Sequence, residues 1–258
     1  MNGEGRMDKM PCLPVKITDK KWADSLQDGQ VFMRSLYDYG IWSVTEQTQN
    51  KEEMKSGIQG DIGEGIVRRV DPKIGDNYFN RFSPQLRNLM KSCYYIDYNQ
   101  FQYEKVFCMY GLTYLTDKNC YEKPDDRLKE FGNTAVVIFN PNEFLRRVMN
   151  GLYNQFGDSI NFKLDEMHYY PPSYYGALDE FCKSEAYAWQ NELRMRVAIL
   201  DPNEYIIDEK GRKLYCLIKN TDSIIVDIGD IRDISVQISV EDLIDLKLPS
   251  QALYRAID

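Results

Sequence analysis

Residues Phe181-Cys182-Lys183-Ser184-Glu185-Ala186-Tyr187-Ala188-Trp189-Gln190-Asn191-Glu192-Leu193-Arg194-Met195-Arg196-Val197 carry two patterns at once. From about Trp189 onward, Gln190, Glu192, Arg194 and Arg196 alternate with Leu193, Met195, Val197 and then Ile199. Side chains on a strand point to opposite faces in turn, so this spacing predicts one apolar face and one charged face. A carboxylate set between an amide and a guanidinium group stays ionised and is held in place. An active cleft uses such a row, and so does an exposed strand with an alternating-charge ladder.

Outward from this segment, the C-terminal third alternates strands with turn chemistry. Strands are expected at Leu193–Leu200, Glu204–Ile207, Lys213–Ile218, Ile224–Ile228 and Ile234–Ile238, with turns at Asp201-Pro202-Asn203 and around Gly211. Ser239-Val240-Glu241-Asp242 resembles a capping box opening a short final helix. In the other direction, Ile160–Tyr169 reads as a strand. Asn140-Pro141-Asn142-Glu143 starts a helix running to about Phe156, with an Asn cap, proline at the first helical position and Glu at the third. Lys105–Leu112 and Thr134–Phe139 have the continuous apolar character of buried strands, and Asp125–Phe131 reads as a helix.

Nearer the N-terminus, Thr18 is expected to cap a helix through Leu26, ended by Gly29 in the left-handed conformation. Gln30–Leu36 and Ile66–Val70 read as strands, 46–55 as a polar helix, and Ser83-Pro84 as a helix start. The 57–65 segment is a glycine-rich acidic loop that reads as an exposed turn or as a binder of a divalent cation through oxygen ligands, and its negative charge disfavours a phosphate cradle. It lacks the spacing of a calcium loop and the lysine of a Walker motif. No repeat or linker divides the chain, so the expectation is a single α+β domain over 15–258 with a loose tail at 1–14. Its central sheet would be mixed or antiparallel.

The bulk composition narrows the chemistry. The 258 residues include 40 acidic and 32 basic side chains, a net charge of −8, and one histidine, His168. A zinc site of the H-E-x-x-H kind needs two histidines, and a Ser-His-Asp or Cys-His triad has only His168 to use. The acid excess argues against a coat for nucleic acid or anionic membrane. No apolar run approaches the roughly 20 residues of a membrane-spanning helix, and the first residues lack the apolar core of a secretory signal. The six cysteines show no C-x-x-C pair, and reduced thiols in a cytoplasmic protein are expected, with no metal ligand set.

The F-x-K-x(3)-Y-x-W-Q-x-E-x-R run, residues 181–194, resembles the signature near the end of a broad group of bacterial and phage proteins of unknown function. The order of elements is also similar to that group: Ser25–Leu36, then Asp61 with Glu64, then Val106–Leu112, then Gly132–Phe139. The same order resembles the core of ADP-ribosyltransferases. In that family a first-strand Arg or His holds NAD, a Ser or Thr stands on a middle strand, and a Q/E-x-E pair lies on a late strand. Carried over, the resemblance implies Glu192, Gln190 and Arg34 as catalytic residues. It implies Tyr187, Tyr110, Thr134 and Arg194 at the cofactor-binding site, with NAD as substrate. The chain departs from the pattern in having no glycine after Arg34 and no Ser-Thr-Ser triplet.

The resemblance therefore implies transfer of ADP-ribose from NAD to a macromolecular acceptor, protein or nucleic acid, in bacterial or phage conflict. Glu192 would stabilise an oxocarbenium-like transition state, an electrostatic role suited to a fixed carboxylate. The alternative is a non-catalytic phage–host interaction protein that binds a protein partner through an acidic, tyrosine-rich surface. A metal-dependent nuclease built on Asp61, Glu64 and Glu192 lacks the expected lysine motif. Arg34 has a plainer reading as partner of the Asp61/Glu64 loop. His168, ahead of the 169–175 Tyr/Pro segment, reads either as a contact beside an aromatic wall or as a strand end running into a rigid surface loop.

Overall fold

The computed structural model describes residues 12–36, 38, 66–71, 83–85, 93–96, 103–220 and 222–250. It is an α+β fold on an antiparallel sheet that, among the described residues, has ten strands. Its spine is the pair β5 (Lys105–Leu115) and β12 (Glu192–Ile207), antiparallel with Glu192 opposite Tyr110 and Arg194 opposite Cys108. The other edge of β12 carries β8 (Ile160–Glu166), from Leu193 opposite Glu166 to Ile199 opposite Ile160.

The alternation expected for the 192–199 stretch is present, and both faces of the spine are packed. Leu193, Met195, Val197 and Ile199 join Phe107 and Met109 in one core. Each such side chain contributes about 1.5–3 kcal/mol on burial. Helix α2 (Pro141–Phe156) covers this core with Phe144, Val148 and Leu152. The Asn140 carboxamide caps α2 by accepting from the Glu143 N–H at 3.3 Å, and Pro141 fills its first turn. On the opposite face Tyr110 and Leu112 pack with Leu13, Val15 and Ile17 in a second core. Short helix α3 (Val240–Ile244) closes it, and Ser239 caps that helix through the Asp242 N–H.

The free edge of β5 meets two strands that part from each other. Strand β1 (Cys12–Thr18) pairs with its C-terminal half, from Cys12 opposite Thr113 to Val15 opposite Tyr110, and short β6 (Cys120–Tyr121) pairs with the end of β5, Tyr121 opposite Tyr114. Strand β2 (Gln30–Ser35) pairs at its N-terminal end, Arg34 opposite Val106 and Ser35 opposite Lys105. Phe107, Cys108 and Met109 pair with neither β1 nor β2. Beyond β1 the sheet continues through β7 (Thr134–Ile138) to β15 (Ser235–Ser239), and beyond β2 to β14 (Ile224–Asp227). The sheet thus splits into two wings. Helix α1 (Lys20–Gln27) spans the split, joining β1 to β2.

Several expectations shift. Strand β1 includes Cys12, Leu13 and Pro14, which the sequence reading put in the tail; Cys12 and Leu13 are buried in the two cores. Thr18 ends β1 and the cap of α1 is Asp19, without a side-chain hydrogen bond. The Asp126–Phe131 segment is a 3-10 turn capped by Asp125. The Ile160–Tyr169 strand is two: at Met167 the chain leaves β12, and β9 (His168–Tyr170) pairs in parallel with β11 (Cys182–Ser184). Two expected strands, Leu193–Leu200 and Glu204–Ile207, are one long strand. Its register against β13 (Lys213–Leu217) shifts between Leu200 and Tyr205, where the expected turn reads as a bulge. Strand β3 (Ile66–Val70) lies in a separate three-stranded sheet between β4 (Cys93–Ile96) and β10 (Gly176–Ala177). The 46–55 helix and the loop with Asp61 and Glu64 lie outside the described residues, as does all but the start of the Pro84 helix.

Candidate functional site

The Gln190-x-Glu192 pair is placed by a break in the strand, not by strand alternation. Gln190 is the last residue of a 3-10 turn, Glu185–Gln190. Asn191 follows in the left-handed region at φ 36° and ψ 56°, a conformation asparagine tolerates better than most residues. Its backbone carbonyl accepts from the Gly111 N–H at 2.7 Å, and its carboxamide donates to the Gly111 carbonyl and the Thr113 hydroxyl. Asn191 thus rivets the turn to β5, and strand β12 starts only at Glu192. The two flanking side chains nonetheless converge, because both reach Lys183 on β11.

Lys183 Nζ donates to Gln190 Oε1 at 2.7 Å and to Glu192 Oε2 at 3.1 Å. Arg194 Nε donates to Glu192 Oε1 at 2.8 Å, and Arg194 Nη1 to the Glu180 carbonyl at 2.6 Å. The Glu192 N–H donates to the Tyr169 hydroxyl at 2.9 Å. Side-chain exposure is 7% for both Glu192 and Lys183 and 1% for Arg194, so the cluster is dry. Burial by itself would raise the Glu192 carboxyl, but the charges of Arg194 and Lys183 outweigh it and hold it well below the ordinary range. Burial pushes the Tyr169 phenol up to about 12. Glu192 is therefore a carboxylate ionised around neutrality and held by hydrogen bonds to both of its oxygens.

This cluster forms one end of a cavity of about 270 Å³ in the split between β1 and β2. Phe107, Cys108, Met109 and Tyr110 of β5 line it, with Lys16 from β1, Phe32 and Arg34 from β2, and Trp22 from α1. The split explains Lys16. Cys108 has no strand partner on that edge, and its carbonyl accepts instead from Lys16 Nζ at 2.8 Å. The ammonium also lies 4.7 Å from the Phe107 ring centroid. Burial pulls Lys16 below the ordinary lysine value, opposed by the Cys108 thiol and the Glu192 carboxylate. Arg34 lies over the Phe32 ring at 5.2 Å. Trp22 stacks on the same ring at 6.2 Å and 18°, and stays 51% exposed.

Of the residues singled out in the sequence, Arg34, Tyr110, Gln190 and Glu192 come together on this cavity. Arg34 sits on the second strand among the described residues, not the first, since β1 precedes it. Burial raises the Tyr110 phenol, so it remains a hydroxyl. Arg194 is not among the lining side chains; it lies behind Glu192 as a buried strut. Tyr187 stands next to the cluster, its ring 5.3 Å from Lys183 Nζ, but does not line the cavity. Thr134 is off the cavity on β7, opposite Thr18, and its hydroxyl donates to Asn133 Oδ1. His168 is exposed on β9, opposite Cys182, and is not among the lining residues.

Sequence reasoning missed Lys16, Lys183, Trp22 and Phe32. Lys183 was in plain view as the lysine of the 181–194 run. Lys16 carried a signal too, as a lone cation within the otherwise apolar Cys12–Ile17. Among the described residues, no group of three or more His, Cys, Asp or Glu side chains is placed to hold a metal ion. Also among them, no helix is long and apolar enough to cross a membrane. No family model, no curated protein and no solved structure matches the chain.

Proposed function

We propose that the cavity is an NAD site and that the protein is an ADP-ribosyltransferase-like enzyme acting on a macromolecular acceptor in bacterial or phage conflict. The observation that carries this reading is the convergence of Arg34, Tyr110, Gln190 and Glu192 on one cavity from three strands and a turn. In such a reaction the nicotinamide leaves first, and positive charge develops on the ribose ring. A carboxylate fixed in a dry site opposes that charge without reorganising. Glu192 meets the requirement, since Lys183 and Arg194 keep it ionised and oriented. Gln190, held by Lys183, offers its amide N–H toward the acceptor. Arg34 and Tyr110 line the cavity wall. Tyr187 and Arg194 support the cluster from outside the cavity, and Thr134 has no place in this scheme.

The test is incubation of the protein with labelled NAD, with and without cell lysate. Release of nicotinamide or transfer of label by the wild type is expected, with loss in Glu192→Gln. A wild type that neither cleaves NAD nor transfers label, or a Glu192→Gln variant as active as wild type, overturns the reading.

One feature favours the non-catalytic alternative. The β12–β13 hairpin exposes Tyr205, Ile206, Ile207, Leu214 and Tyr215 among Glu204, Asp208 and Glu209. Exposed apolar patches mark interaction surfaces. If this hairpin carries the function, charge substitution at Ile206 and Leu214 abolishes partner binding while Glu192→Gln leaves it intact.

A further inference from the structure

The cavity carries more positive charge than its chemistry within the protein accounts for. Lys16, Arg34 and Lys183 face one carboxylate, Glu192, in a chain whose net charge is −8. Lys183 is matched to Glu192, and Arg194 behind it shares that carboxylate. Lys16 and Arg34, by contrast, make no ion pair among the described residues. Lys16 spends one of its three donors on the Cys108 carbonyl, and its other contact is the face of Phe107. Arg34 has the face of Phe32. Burying a lysine beside a cavity with no ion pair of its own costs stability, and Glu192, which acts on it across the cavity, is already held by Lys183 and Arg194, so a second partner of opposite charge is the natural complement.

The aromatic side chains of the cavity point the same way. Phe32 is flanked by Arg34 on the one hand and Trp22 on the other. Trp22 belongs to the short helix across the split and is half exposed, with Lys21 also over its ring at 4.8 Å. A half-exposed indole, with only the mobile end of a lysine side chain over it, suits a planar group that carries an anion on a short tether. Base–aromatic stacking contributes about 1–3 kcal/mol per base. Charge-assisted hydrogen bonds from Lys and Arg are the strong ones for phosphate oxygens.

We infer that the cavity is a nucleoside-diphosphate site in which Lys16 and Arg34 bind the phosphate oxygens and the base stacks on the Trp22–Phe32 pair. This deepens the NAD reading by adding Lys16, Trp22 and Phe32, and rests on it for the placing of Glu192 beside the ribose. The binding claim is separable, because a nucleoside diphosphate without a nicotinamide group binds the site and undergoes no transfer.

The experiment titrates the full chain with ADP, inorganic pyrophosphate and adenosine, each by calorimetry and by tryptophan fluorescence. ADP is expected to bind and change the fluorescence, pyrophosphate to compete with it, and adenosine to bind at least tenfold more weakly than ADP. Lys16→Met and Arg34→Gln each lose about tenfold or more for both ADP and pyrophosphate. Trp22→Leu loses about tenfold for ADP and nothing for pyrophosphate. Arg34 is exposed, so Arg34→Gln is expected to fold even if Lys16→Met does not. The inference is overturned if neither ADP nor pyrophosphate binds at millimolar concentration, or if ADP binds Arg34→Gln as tightly as wild type. A Trp22→Leu variant with wild-type ADP affinity overturns the base placement. ADP binding with no NAD cleavage leaves this inference standing and removes the transferase reading alone.

Discussion

Replacing Glu192 by glutamine tests the structure of the site independently of any activity. The substitution keeps the shape of the side chain and removes one charge. It leaves two cations behind: Lys183, at 3.1 Å from the carboxylate and 7% exposed, and Arg194, at 2.8 Å and 1% exposed. Breaking a buried ion pair by removing one partner costs about 3–5 kcal/mol, because the burial cost of the remaining charge is no longer offset by that carboxylate. For a chain of this size each kcal/mol lowers Tm by about 2–4 °C, so Glu192→Gln is expected to melt about 6–20 °C below wild type. Lys183→Met in the Glu192→Gln background removes one of the two cations that lost the carboxylate, so the double variant is expected to lose at least about 1 kcal/mol less than the sum of the singles.

The dependence on pH gives a second check. The folded Glu192 carboxyl lies below its unfolded value of about 4.3. A depressed acid stabilises the folded state fully above the unfolded value and loses that contribution as pH falls through the folded one. The gap between wild type and Glu192→Gln is therefore constant around neutrality and narrows only in acid, below about pH 4. Urea unfolding at pH 7 and along an acid series measures all three effects. A loss under about 1 kcal/mol for Glu192→Gln at pH 7, or strict additivity with Lys183→Met, refutes the reasoning.

Other expectations follow from single contacts. Gly151→Ala in the middle of α2 is favoured by helix propensity by about 1 kcal/mol. Here the added Cβ would stand 2.6 Å from the Asp227 carbonyl oxygen and 2.8 Å from Val226 Cγ1, so net destabilisation of about 1–2 kcal/mol is expected in urea melts. Asn140→Ala removes the α2 cap and is expected to cost about 1 kcal/mol by the same assay, with Asn140→Ser recovering most of it. Burial pushes the Cys12 thiol up to about 12, while Cys120 is exposed. A thiol reagent under native conditions is expected to label Cys120 quickly and Cys12 only on unfolding, as peptide mapping would show.

The sequence alone determined those features that depend on neighbours along the chain. The Asn-Pro-x-Glu start defined α2, because a helix cap is built from residues within one turn. Alternation defined the two faces of β12, because the pleat has period two whatever the partner. Ser239 at the start of α3 and Gly29 with φ +94° were legible for the same local reason. The candidate site was half legible. Glu192 and Gln190 stood out as a polar pair beside an apolar run, and Arg34 and Tyr110 were singled out separately.

What tertiary structure decided was the meeting of these parts. Residues 16, 34, 108 and 192 are brought to one cavity only because β1 and β2 diverge along the same edge of β5. No local pattern encodes that divergence, since strand pairing is fixed by contacts distant in sequence. The same holds for the carboxylate. A charged strand residue reads equally as a solvated ladder or as a buried group. Here the β9–β11 segment, arriving with Lys183, makes Glu192 the dry centre of the site, ionised around neutrality. Lys16 shows the reverse case. Its place as a cation among apolar residues was visible, but its role depended on the edge of β5 at 107–109 that β1 and β2 leave between them in the folded sheet.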